Sequence, residues 1–302
     1  MIFTNSSNSE VWYIPTDILR ITCDSTTIGI SFCLLVVIVT NKACRTVPMM
    51  LTANTCFTEF ICACVLLSMT VFVLQNDIKQ IIYEDSLCRV RGYLLISITV
   101  AQNYSYVLQA IYRYITIVHP SRLFWHSSRF QTCLICLVWI FSFTIILPVL
   151  LTNQIVYNPF NHICHPPLGR SFGIIYITIV LYLIPNIFIN IIYSRLVRFV
   201  REISKRVTST NVIARAERDL KMVKSIITIT TILGILGLPF AFLIFWSLFT
   251  TPPRDHFRIA FIGVDISTTA VIIAVFKTTP PIKTALSEKL AALQTIFTTA
   301  NA

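Results

Sequence analysis

The sequence predicts an all-α membrane protein, a seven-transmembrane helix bundle followed by a short amphipathic C-terminal helix. Three observations carry that expectation. Of 302 residues, 55% are apolar and 12% charged, about half the roughly 25% charge of a soluble domain. Seven apolar runs have the length of a bilayer crossing: about Ile18–Thr40, Val47–Leu74, Cys88–Val118, Phe130–Leu151, Phe172–Arg195, Val223–Phe249 and Phe257–Phe276. With the N-terminus outside, all but seven of the 24 Lys and Arg fall on cytoplasmic segments; the exceptions are Arg20, Lys79, Arg89, Arg91, Arg170, Arg254 and Arg258. Residues 1–17 are then extracellular, 18–276 form the membrane domain and 277–302 a cytoplasmic tail. The expected location is the plasma membrane, multi-pass, with the C-terminus inside. The net charge of +11 reads as a basic inner face for anionic lipid, and no nucleic acid is expected as a partner.

The first ten residues lack the basic start and apolar core of a secretory signal, so the first span serves as its own insertion signal. Asn5-Ser6-Ser7 is a glycosylation sequon on the outer side, with Asn5 as the acceptor. Asn103-Tyr104-Ser105 has the same pattern but lies inside the third span. Arg20 and Asp24 share a face of the first span, either as a neutralised pair or with Asp24 lining an outward cavity. The second span holds Asn54 and Glu59, and Glu59 is the sole formal charge between Pro48 and Asp77. Such a carboxyl must be protonated, paired or hydrated. It reads as a neutral interhelical hydrogen-bonding group or as a cation- or proton-sensitive switch.

From Cys88 to Arg113 the third span covers about 37 Å at the α-helical rise, which sets those two residues near opposite interfaces. Pro148, Pro185 and Pro239 fall one each in spans four, five and six, where each frees a carbonyl and permits a kink or a cavity. The basic segment between spans five and six, from Arg195 to Lys224, is a solvated loop with helical extensions, or in addition a docking surface. After Pro280-Pro281, the residues Ile282, Leu286, Leu290, Leu293 and Phe297 recur at helical spacing, an amphipathic helix for the inner interface. Of ten cysteines, Cys88 and Cys164 fall at the outer, oxidising side and are expected to be bridged. Cys62-Ala63-Cys64 has no accompanying His, so no metal is expected.

These residues together resemble the rhodopsin-like (class A) G-protein-coupled receptor family over about residues 29–290. Tyr112-Arg113-Tyr114, followed by Pro120, resembles its Asp-Arg-Tyr box. Cys88 and Cys164 match its disulfide, Asn54 and Glu59 the Asn and Asp of its second helix, and Trp139, Pro185, Tyr193 and Pro239 the signature residues of helices four to six. The resemblance implies an extracellular ligand and a heterotrimeric G protein as partners, in a lipid bilayer. It further implies that Arg113 is held by acidic groups at rest, with Asp219 or Glu217 available, and meets the G protein when active, Tyr193 supporting the opened state. Departures are Tyr112 for the box Asp, Gly237 for the toggle Trp, Ala270-Val271 at the Asn-Pro places, Ser31 for the first-helix Asn and Gln102 for the third-helix Ser.

The family's pocket positions fall on Leu95, Thr99, Ile177, Leu181, Phe240 and Ile244, an apolar set. Leu95 stands where amine receptors carry Asp, and no lysine sits midway along span seven, so neither a monoamine salt bridge nor a retinal Schiff base is expected, and no cofactor. Arg89, Arg91, Arg170 and His256 near the mouth point to an acidic or peptide ligand, or simply to lipid head groups and loop acids. A carrier or channel would use Glu59 and Asp265 as a buried ion path, against which stands the absence of repeated or inverted halves. An enzyme would need paired catalytic groups at one depth. The histidines His119, His126, His162, His165 and His256 lie in loops on both faces, so no catalytic residue is expected.

Overall fold

The computed structural model describes residues 13–169, 171–206, 242–247, 249–251, 253–279 and 282–285, with Thr231, Gly237 and Ser287. Asn5, Arg170, Glu217, Asp219, Pro239, Phe240 and the tail stripe at Leu286, Leu290, Leu293 and Phe297 lie outside the described residues, as does most of the sixth span. The helices are α1 (Tyr13–Thr40), α2 (Val47–Lys79), α3 (Cys88–Val118), α4 (Ser128–Leu151), α5 (Phe172–Thr178), α6 (Ile184–Arg206) and α7 (His256–Thr278). A π-helical segment, Ile179–Leu183, joins α5 to α6, and the three pieces form the fifth span. Between α4 and α5 an antiparallel hairpin pairs β1 (Val156–Asn158) with β2 (Ile163–His165).

α2 begins with Pro48 in its first turn, where the missing N–H is no loss. It continues past the apolar run that ends at Leu74 and stops at Gln80, whose left-handed backbone (φ 50°) closes the helix. α1 lies against α2 and α7, while α3 touches α2, α4 and α6. α3 is the axis of the bundle: it buries residues on every side, from Cys88 through Tyr112, whereas α4 buries only Gln131, Ser142, Ile146 and Val149.

Among the described residues five helical segments are long and apolar enough to cross a membrane: Tyr13–Thr40, Val47–Lys79, Ser128–Leu151, Phe172–Phe199 and His256–Thr278. α3 is not among them, although the sequence reading placed a span there. Its Ser97, Gln102, Ser105 and Gln109 face other helices instead of lipid, so they lower its apolarity without meeting hydrocarbon.

Candidate functional site

Three polar layers lie along α3. At the first, Cys88 opens the helix and is bonded to Cys164 of β2, with Cα atoms 5.4 Å apart. Gly92, one turn on, lets the hairpin approach: a Cβ there would collide with the Cys164 carbonyl. Asn158 turns the hairpin by accepting the Phe160 and Asn161 N–H groups at 2.9 and 3.2 Å. Asn161 then ties the turn to the start of α7, donating to the Arg254 carbonyl (2.9 Å) and accepting from the Arg258 N–H (3.4 Å).

All three residues of β2 are buried. Ile163 packs in one cluster with Leu95, Leu243, Ile244, Phe257 and Phe261. The His165 ring lies 4.8 Å from Phe257 and 6.1 Å from Phe261, centre to centre. Burial holds its pKa down to about 4, aided by His256, against the hydrogen bond with the Pro166 carbonyl. The His162 pKa is also lowered, by burial and then by Arg258, with Asp77 opposing. Of the expected pocket positions, Leu95 and Ile244 thus meet Ile163, while Ile177 and Leu181 pack in a neighbouring cluster with Cys88 and Cys164. Thr99 donates to the Leu95 carbonyl at 2.7 Å. Among the described residues a cavity of about 10 Å³ lies beside Met69, Phe72, Cys88, Arg91, His162, Ile163 and Cys164, room for about one water.

At the same end an ionic cluster joins α1, α2 and α7. Arg258 grips Asp77 with both terminal nitrogens at 2.5 and 2.7 Å and reaches Asp17 at 3.6 Å. Arg20 donates its Nε–H to Asp265 at 2.5 Å and approaches Asp17 at 3.5 Å. The same-face pairing of Arg20 with Asp24 is therefore replaced: Arg20 points to α7, and neither oxygen of Asp24 has a hydrogen-bond partner among the described residues. A guanidinium favours two planar carboxylate partners, and Asp17 and Asp265 supply them.

In the middle layer Glu59 is wholly buried. One oxygen accepts from the Gln102 amide and, at 3.0 Å, from the Tyr106 hydroxyl, while the other has no donor among the described residues. Glu59 and Asp265 thus engage different partners. Below Glu59, Trp139 donates to the Asn54 carbonyl oxygen at 3.0 Å, and the Asn54 amide donates to Ser105 at 2.7 Å. One further rung follows, where Gln109 donates to Thr55 and to the Leu51 carbonyl.

At the far end Tyr112 is buried against Leu51 and Leu108 and sets its ring edge-on to His126, 6.1 Å away. Arg113 is half-buried, and Tyr114 approaches His119. The Tyr193 hydroxyl is buried without a hydrogen-bond partner among the described residues, and Arg113 is the charged group that acts on it.

Residues 31–276 match the profile of the 7 transmembrane receptor (rhodopsin family). The chain belongs to that family. As a receptor of the rhodopsin family it is a multi-pass membrane protein, and the family is one of receptors, not enzymes. Among solved structures it is similar to squid rhodopsin, at a TM-score of 0.78 and 16% identity, covering 97% of this chain and 89% of that one. No curated protein sequence matches it.

The receptor's departures from the family pattern now have local meaning. Gln102, at the family's third-helix Ser, is long enough to reach Glu59 itself. Gly237 faces the ring of Tyr182 at 3.9 Å from where a Cβ would stand. Sequence reasoning missed the Asp17–Arg258–Asp77 bonds, because the three residues are far apart in the chain and each sits near the end of a predicted span. A charge count at those ends was the available signal.

Proposed function

We propose that the receptor takes an extracellular ligand at the disulfide end and passes the signal to a heterotrimeric G protein at the Arg113 end, from the plasma membrane with its N-terminus outside. The observation that carries this reading is the series of polar rungs from Gln102 to Gln109, on the half of α3 that leads to Arg113. Gln102 and Tyr106 hold Glu59, Ser105 holds Asn54, which also accepts from Trp139, Gln109 holds Thr55, and Tyr112 and Arg113 follow in the chain. α3 is one continuous helix from Cys88 to Val118 and these bonds tie it to α2 and, through Asn54, to α4, so a displacement at Cys88 would be carried along it toward Arg113. Arg89 and Arg91 near the disulfide end favour an acidic or peptide ligand, which would meet the Ile163–His165 strand on entering. Ligand binding would shift the population of inner-face conformations.

The test is expression at the cell surface with readout of several G-protein pathways, comparing the natural chain with Arg113→Ala. Signalling that falls at least tenfold in the variant at equal surface level supports the reading. Signalling equal in both, or current or uptake in cells lacking G proteins, overturns it.

A further inference from the structure

Asp17, Asp24, Asp77 and Asp265 are all buried or nearly so, and among the described residues Arg20 and Arg258 are the arginines that answer them. His162 approaches Asp77 at 3.4 Å, but its lowered pKa leaves it neutral at neutral pH. The cluster therefore carries more carboxyl groups than cations, in a place where a bare charge costs several kcal/mol.

The imbalance is located by the hydrogen bonds. Asp17, Asp77 and Asp265 each have a guanidinium within reach. Asp24 is 0% exposed, and both of its oxygens lack a donor among the described residues; Asp265, also 0% exposed, keeps one oxygen without a donor there. The hydroxyls nearby are committed elsewhere: Thr27 donates to the Cys23 carbonyl, and Thr268 and Thr269 to the Asp265 carbonyl. The titratable groups that face Asp24 are Arg20 and Cys23 on α1, Cys62 and Cys64 on α2, and Asp265 on α7. Among the described residues no group of three or more metal-ligating side chains exists that could hold a metal ion.

We propose that Asp24 is a proton-binding site: its carboxyl carries one proton while α1 is seated on α2 and α7, and gives it up when that seam opens to water. A proton needs no space beside a carboxyl that has no exposed surface. Its binding ties the packing of α1 to pH at the disulfide end of the bundle. The proposal does not depend on G-protein coupling, and its test uses the purified chain.

Thermal unfolding of the full chain in detergent is followed from pH 6.5 to 8.5, above the range in which His165 titrates, for the natural protein, Asp24→Asn and Asp24→Leu. The natural protein is expected to lose about 5 °C in midpoint across the window, since the folded state holds a proton that the unfolded state has released. Asp24→Asn should show a slope shallower by that amount, with a midpoint at pH 8.5 at least as high as the natural one. Equal slopes in the two proteins overturn the proposal. So does a failure of both neutral replacements to fold, because the ionised carboxylate would then be required. Replacing sodium by N-methylglucamine at fixed pH should move no midpoint; a sodium dependence lost in Asp24→Asn would assign the site to a metal cation instead.

Discussion

Asn103 of α3 donates its side-chain amide to the main-chain carbonyl of Leu181, 3.1 Å away. That carbonyl belongs to the residue four before Pro185, whose ring nitrogen has no hydrogen to offer it. The break falls in the π-helical segment Ile179–Leu183, so one amide on α3 satisfies the group that the proline leaves bare. Asn103→Leu should cost about 1–2 kcal/mol, the lower part of the range for a stranded buried acceptor. A thermal midpoint lower by a few degrees checks it, and an unchanged midpoint would mean that water or a helix rearrangement takes over the carbonyl.

Gly92 governs how deep the hairpin sits. In Gly92→Ala the new methyl meets the Cys164 carbonyl, which is main chain and held by the disulfide, so the neighbour cannot rotate away. A loss of about 1–3 kcal/mol is expected, the usual cost of overpacking. The measurement is unfolding of the purified protein together with the fraction of Cys88 that is oxidised.

Glu59 separates charge from hydrogen bonding. Gln keeps an acceptor for Gln102 and Tyr106, whereas Ala strands both buried donors at about 1–3 kcal/mol each. Glu59→Ala should therefore unfold well below Glu59→Gln, with the latter near the natural protein. If the two variants are equally damaged, the carboxyl does something that an amide cannot.

His165 makes the seated hairpin acid-sensitive. Unfolded, its imidazole takes up a proton near pH 6.5; folded between Phe257 and Phe261, it does so only near 4. The stability contributed by the neutral ring is complete above pH 6.5 and is lost as pH falls between those two values. His165→Phe should flatten the decline in unfolding midpoint over that window. His162, lowered by burial as well, leaves a smaller residual slope.

What the sequence could reveal depended on how local the cause was. Runs such as the one from Ser128 to Leu151 are apolar on all sides, so α4 is legible from composition, and Cys88 with Cys164 from their place in the topology. α3 was legible as a helix but looked like any span, because the partners that make it an axis (Glu59, Asn54, Thr55, Leu181) lie on other helices. The direction of Arg20 could not be read, since α1 offers Asp17 and Asp24 at equal helical convenience and the decision is made by Asp265 on α7. Asn103 looked like an unusable sequon. Only the facing proline gives it a partner.

Tyr112 precedes Arg113 where the rhodopsin family carries an aspartate, so the guanidinium has no carboxylate next to it on α3. Tyr112 is buried against Leu51 and Leu108, with its ring set against His126. Its phenol contributes packing where a carboxylate would contribute charge. A restraint on Arg113 worth about 1–2 kcal/mol would, by population arithmetic, change an active fraction roughly 5- to 30-fold. Tyr112→Asp is accordingly expected to lower ligand-free signalling severalfold, at some cost in stability from the lost ring contacts and the buried acid. Tyr112→Phe, which keeps the ring and adds no charge, should signal like the natural chain. Measuring all three at matched surface level separates the effects: a drop in both variants would trace to the lost hydroxyl, and a drop in Tyr112→Asp alone to the carboxylate placed beside Arg113. Unchanged signalling in Tyr112→Asp would mean that Arg113 is restrained by groups on other elements.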